Sequence, residues 1–241
     1  GGIPFIMHER LSRDGMSDES ALGYSSIPAT SFYQVAEMLQ RYEGYSGHDI
    51  FRDYPKFRAC YTLGASVRML DNYSPNWGDG DKCMNYSGRS GMTVPVNMAL
   101  QGYRIFGTPE IAREVWFANA RSFDNLLNIK PGNGRGDEGI QWHLYDADPE
   151  GMLADLQRDA DVDNLGPLRS LNSGGHGQAT IQAPSRENGR ALAMYYGRMY
   201  GHGHSDRLNF LLVAENVVMT PDNGYPLYTG QWPKRFGWVR H

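Results

Sequence analysis

The stretch YGHGHSDRLNF, residues 200–210, sets His202 and His204 one glycine apart, adds the acid Asp206 and turns at once into apolar residues. Imidazole changes charge nearest neutral pH and, when neutral, is a common metal ligand. On a regular strand, residues two apart share a face, so both rings would meet one ligand. Gly201 and Gly203 loosen the backbone, and an irregular segment would split the rings between two tasks. Beyond them Leu208, Phe210 and Leu212 alternate with more polar positions, as the inward face of a half-buried strand does. Asp222, in TPDNG one strand and turn later, would return beside His204 in a hairpin. Two histidines and a carboxylate are a nitrogen and oxygen donor set that suits Zn²⁺. Turn-forming aspartates and loop histidines held by hydrogen bonds fit the same residues, and spacing leaves both readings open.

Other polar clusters are less specific. SRDGMSDESALGYSS, residues 12–26, carries Asp14, Asp18, Glu19 and Tyr24 ahead of a helix and reads by composition as a polar turn with a cap. A functional Tyr there needs a neighbour that eases loss of its proton, since a free phenol titrates near about 10. In SPNWGDGDKC, Asp79 and Asp81 could pair as glycosidase carboxylates, alone or with Glu19. They stand two residues apart in a Gly-rich turn, whereas such acids come from separate elements that flank a bond, so Asx turns and a helix start are favoured. The run lacks the Glu that closes an EF-hand loop. His48 fits a helix-cap region, and His143 and His176 fit a cleft lining or an ordinary surface or core position. Arg198, Arg207 and Arg235 are candidates to pair with a substrate carboxylate.

The elements that would position these groups fall into two parts. PATSFYQVAEMLQRYEG, DYPKFRACYTLGASVRMLD, VPVNMALQGYRIFG and TPEIAREVWFANARSFDNLLN carry apolar residues at helical spacing. The last opens with Thr108 as N-cap, Pro109 at the first position and Glu110 in the first turn. Helices joined by Gly, Pro and Asn loops predict antiparallel hairpins. A Gly-rich break, PGNGRGDEGI, and a short helix in EGMLADLQRDA follow. From about residue 166, HGQATIQAP, RALAMYYG, DRLNFLLVAENVVMTPDNG and YPLYTG read as short strands with turn signals.

Bulk properties narrow the class. The 241 residues suffice for one large or two ordinary domains. A net charge of −4 offers no basic field for nucleic acid. Two cysteines, Cys60 and Cys83, define neither a disulfide framework nor a zinc ribbon. No run of about 18 apolar residues is present, so no membrane span is expected. The abundant Tyr and Trp suit sugar rings and cores alike. No signal peptide is visible at GGIPFIMHER, and QWPKRFGWVRH ends in what reads as the middle of a β-region. The chain is therefore expected to be a fragment at both ends.

Three stretches together carry a resemblance. YGHGHSDRLNFLLVAENVVMTPDNGYP resembles the strand signature of the heparinase II/III-like polysaccharide lyases, especially their alginate and oligoalginate lyase relatives. RDGMSDESALGY is similar to that family's upstream segment, an Asp-Gly, an acid, then a Tyr opening a toroid helix. SPNWGDGD looks like the Gly-Asp turn between them. The resemblance covers roughly residues 12–241, and the His-x-His-x-Asp strand is its most specific part.

The resemblance implies an α+β multidomain fold, a partial (α/α) toroid of helical hairpins followed by an antiparallel β-sandwich. Residues 1–135 would be the C-terminal part of the toroid, 136–165 a linker with a short helix, and 166–241 the start of the sandwich. It implies β-elimination on a uronic-acid polymer or oligomer, with Tyr24 as acid/base and His202 as the assisting group. Arg198, Arg207 and Tyr225 would contact substrate. His204 and Asp222 look like two ligands of a structural zinc, with the third expected beyond the C-terminus and His241 a poorly placed substitute. The family's neutralising Asn has no match here, and HSD stands where His-Pro-Asp is more usual. The partner would be an anionic saccharide, not nucleic acid or membrane, with a homodimer left open, and the location periplasmic or secreted. A non-catalytic carbohydrate-binding relative and a toroid glycoside hydrolase are the alternatives.

Overall fold

The computed structural model describes residues 2–17, 19, 24–25, 31–32, 35–36, 38–39, 42, 49–75, 77–78, 84–85, 94, 96–128, 148–198, 201–204 and 207–222. Asp18, His48, Asp79, Asp81, Cys83, His143, Asp206, Tyr225, Arg235 and His241, the Gly-rich break and the YPLYTG strand lie outside them.

Helical periodicity is realised most fully in Val96–Phe106 and Pro109–Ala118. Met98, Ala99, Leu100 and Tyr103 of the first and Ile111, Ala112, Val115 and Ala118 of the second are buried, an inward stripe at the three-to-four spacing a helix imposes. Gly107, with φ of 55°, makes the turn between them. Thr108 takes the N-cap position and Pro109 the first helical one. The capping itself differs from expectation: the Thr108 hydroxyl makes no capping bond and is buried without a partner among the described residues. Farther on, Asp148 caps Pro149–Ala160 by accepting from the Gly151 N–H at 2.9 Å. That helix is held to the first two by Tyr103 Oη donating to Asp159 and Arg113 Nε donating to the Ala160 carbonyl, both at 2.8 Å.

Two helix expectations are corrected. The segment 53–71 is not one helix but Lys56–Cys60 and Leu63–Val67, with Tyr61 and Thr62 in a turn between. At the break Tyr61 is fully buried, with ring contacts to Phe57 and Phe106. Gly102 makes room for it, since a Cβ there would lie 2.5 Å from the Tyr61 ring. The helix opening at Pro109 stops at Ala118 rather than running on to residue 128. Ala120 and Arg121 have φ of 56° and 61°, and Asn119 Nδ2 donates to the carbonyls of Ser122 and Asp124, so the side chain satisfies backbone groups that a helix would have used.

The strands are β1 (Tyr73–Ser74) and β2 (Met84–Asn85), a small antiparallel pair, then β3 (Leu171–Ser173), β4 (Gln178–Gln182), β5 (Arg190–Tyr195), β6 (Phe210–Ala214) and β7 (Val217–Val218). The last five form one antiparallel meander in sequence order. Its facing is the reverse of the expectation for β6. Leu211 and Val213 are fully buried, while Leu208 and Phe210 are 64% and 53% exposed. NFLLVA is apolar at both parities, so alternation cannot choose a face. The register, Ala193 opposite Leu211 and Ala191 opposite Val213, places those pairs in the core. The opposite face carries Ile181, Leu192, Met194 and Phe210, all exposed.

Helices and sheet share one core, which runs from Met7 to Val213. Gln178 joins them by donating to the Val67 carbonyl at 3.0 Å and accepting from Trp77 Nε1 at 2.7 Å. Tyr73 Oη donates to the Asn216 carbonyl at 2.8 Å. Arg68 meets Glu114 at 2.6 Å with both side chains buried, and its guanidinium lies 3.6 Å over the Phe117 ring. The architecture is α+β. No helix among the described residues is long and apolar enough to cross a membrane.

Candidate active site

Residues 201–204 are not strand: the chain turns there before β6 begins. The turn separates the two histidines. His204 is 7% exposed, whereas His202 is half-buried and faces the N-terminal segment. The ring of His202 lies flat on that of Tyr24, centroids 3.7 Å apart and planes 6° apart. At its edge stands Glu19. One carboxylate oxygen, Oε2, accepts from the His202 backbone N–H at 3.0 Å and meets ring Nδ1 at 2.9 Å. The structure thus brings together Tyr24 and His202 and adds Glu19, which the sequence had offered only as a turn residue or a glycosidase acid.

Glycines make this approach possible. Gly201 has φ of 54°, and a Cβ on it would lie 1.8 Å from Glu19 Oε2. Gly78, with φ of 63°, backs the same turn, where a Cβ would lie 2.4 Å from the His202 carbonyl oxygen. The backbone of Glu19 is fastened on both sides. Its N–H donates to Ser17 Oγ at 3.2 Å and its carbonyl accepts from Ser25 Oγ at 3.0 Å.

Glu19 also lines a cleft of about 800 Å³ between the N-terminal segment and the sheet. Ser12, Ser17, His176, Tyr195, Arg198 and Arg207 contribute to its walls, so two of the three arginines read as partners of a substrate carboxylate are there, Arg235 lying outside the described residues. Tyr195 Oη donates to the Arg198 carbonyl at 2.5 Å, which ties that backbone to β5. The opposite wall is held by Asp14, whose carboxylate accepts from the N–H groups of Gly175 and His176 in the β3–β4 turn. His176 is buried with its ring 5.1 Å from that of Tyr195, and Nε2 has no hydrogen-bond partner among the described residues. Burial pushes its imidazole down to about 4, against a smaller upward pull from the Asp14 charge. Neither Asp14 nor Glu19 announces its partner in sequence; the nearest signal is an acid flanked by hydroxyl residues in a loop.

Of the two residues read as metal ligands, His204 is buried before β6 and Asp222 lies after β7, where Asn209 Nδ2 donates to its carboxylate. Among the described residues no three His, Cys, Asp or Glu side chains form a group that could hold a metal ion.

No protein-family model and no curated protein matches the chain. Solved structures do. Heparan sulfate lyase HepC from Pedobacter heparinus superposes on 98% of the chain with a TM-score of 0.60 at 15% identity. A heparinase III superposes on 98% with a TM-score of 0.56 at 12% identity. The chain spans 30% of the length of each. At such identities the likeness is one of fold: the chain is folded like a segment of these polysaccharide lyases.

Proposed function

We propose that this chain is part of a polysaccharide lyase that cleaves a uronic-acid-containing polymer or oligomer by β-elimination. The observation that carries the reading is the Tyr24–His202 stack, joined through Glu19 to a cleft walled by Arg198 and Arg207. Elimination removes the proton at C5, next to the sugar carboxylate, breaks the C4–O4 bond and leaves a C4–C5 double bond. Tyr24 takes the C5 proton and returns a proton to the departing O4, while His202 shares the charge that develops. Arg198, Arg207 and Tyr225 serve to hold the carboxylate, so that the enolate-like charge meets fixed cations and donors rather than water. The substrate is then an anionic saccharide, and the site of action is periplasmic or extracellular. The helices form an arc of an (α/α) toroid and the meander one sheet of a β-sandwich. The lyase fold of the neighbours and the apolar outer face of the sheet support that reading.

His204 and Asp222 are kept as two donors of a structural zinc. Their nitrogen and oxygen chemistry suits the ion, and the third donor comes from outside the described residues. Such an ion would join the turn at His204 to the chain after β7, and no step of the elimination runs through it. Metal content checks this: His204→Ala should lower bound zinc and thermal stability together, and unchanged zinc would remove the assignment.

The test of function is absorbance in the unsaturated-uronate band during incubation with alginate, heparan sulfate, hyaluronan and ulvan oligomers. A rise with wild type that is lost in Tyr24→Phe is expected. Only new reducing ends, or turnover untouched by Tyr24→Phe, would overturn the reading.

A further inference from the structure

We propose that Glu19 is a positioning residue that locks His202 in the tautomer bearing its hydrogen on Nδ1, leaving the lone pair of the neutral ring on Nε2. The meaning of this for catalysis rests on the lyase reading; the tautomer itself does not. An ionised carboxylate only accepts hydrogen bonds. Glu19 Oε2 already takes the His202 backbone N–H at 3.0 Å, and the same oxygen meets Nδ1 at 2.9 Å. Nδ1 therefore carries a hydrogen whether the ring is neutral or cationic. In the neutral ring Nε2 then holds the lone pair.

This is the less favoured tautomer of a free imidazole in water, so something must select it. The selection is built from both sides of the contact. Ser17 and Ser25 fasten the Glu19 backbone, and Gly201 omits the side chain that would displace the carboxylate. The Tyr24 ring, 6° from parallel, fixes the plane of the imidazole, so a rotation that would carry Nδ1 away from Glu19 has to break the stack on the way. Fixing one nitrogen through an outer carboxylate is how oriented imidazoles are commonly prepared for proton transfer.

The test is the ¹⁵N–¹H long-range spectrum of the full chain, with His202 assigned by its loss in His202→Gln. Wild type should show Nδ1 protonated and Nε2 bare in the neutral ring. Glu19→Ala and, independently, Gly201→Ala should move the population toward Nε2–H, while Glu19→Gln, which keeps an oxygen acceptor, should retain Nδ1–H. Wild-type His202 in the Nε2–H form, which requires no variant to fold, overturns the proposal, and so does Nδ1–H surviving in Glu19→Ala. Where wild type also eliminates uronate, Glu19→Ala should lower kcat at least about 10-fold with KM within about 3-fold. A chain with the expected tautomer and no lyase activity would refute the function and leave the positioning role standing.

Discussion

Asp14 Oδ2 accepts the backbone N–H groups of Gly175 and His176 at 2.9 and 3.1 Å, from 161 and 162 positions away in the chain. A charged acceptor on two amides of a tight turn is worth more than a neutral pair. Asp14→Ala should cost about 2 kcal/mol, and Asp14→Asn about half of that. Urea unfolding checks this: the midpoint should fall with the slope unchanged.

His176 makes stability depend on pH in a defined direction. Burial holds its imidazole down to about 4 in the folded chain, while the unfolded chain titrates near 6.5. Between those values the unfolded state binds more protons, so acid favours unfolding. The contribution is fully present above about 6.5, is lost as pH falls toward about 4, and amounts to ~3 kcal/mol. His176→Leu, which removes the titrating ring and the unpartnered Nε2, should flatten that part of the stability–pH curve. A curve parallel to wild type across the window would show that His176 is not its source.

Arg68 and Glu114 meet at 2.6 Å with side chains 5% and 3% exposed. Removing one member strands the other in the core. Glu114→Gln should destabilise by about 3 kcal/mol, whereas replacing both, Arg68→Met with Glu114→Leu, should come within about 1 kcal/mol of wild type. Calorimetry on the two single variants and the double variant measures the difference; a double variant as weak as the singles would contradict this account.

Gly78 offers a test of the site that touches no reacting group. Its φ of 63° strains any L side chain, and a Cβ would press on the His202 carbonyl at 2.4 Å. Gly78→Ala should cost ~1 kcal/mol or more. It should also reduce lyase activity more than 10-fold at a temperature where the variant is fully folded. Activity retained in the folded variant would show that the turn tolerates the shift.

Much of this molecule is legible in sequence, and the failures share a cause. The stripes of Val96–Phe106 and Pro109–Ala118 and the alternation of Arg190–Tyr195 are local patterns, and local periodicity is what a sequence displays. The break at Tyr61 depends on a glycine at position 102, and the facing of β6 depends on which strand lies beside it. Neither is local. His202 draws attention by its type and its glycines. Glu19 does not, because its partner lies 183 positions away and an acid in a polar turn has an ordinary explanation. His176 stays ambiguous for the same reason: GGHGQ fits a cleft lining, a surface or a core position until Asp14 ties its turn to the N-terminal segment.

The separation between Glu19 and His202 also has a temporal side. Chains grow at roughly 5–20 residues per second, so the 183 positions between them take on the order of 10–40 s to synthesise. Over that interval Glu19 exists without the group it will hold, and helices with local contacts have ample time to pack first. Arg207 is the last cleft residue to be made, so a ribosome stalled before residue 202 would carry a chain with most of its core and Tyr24 without its imidazole.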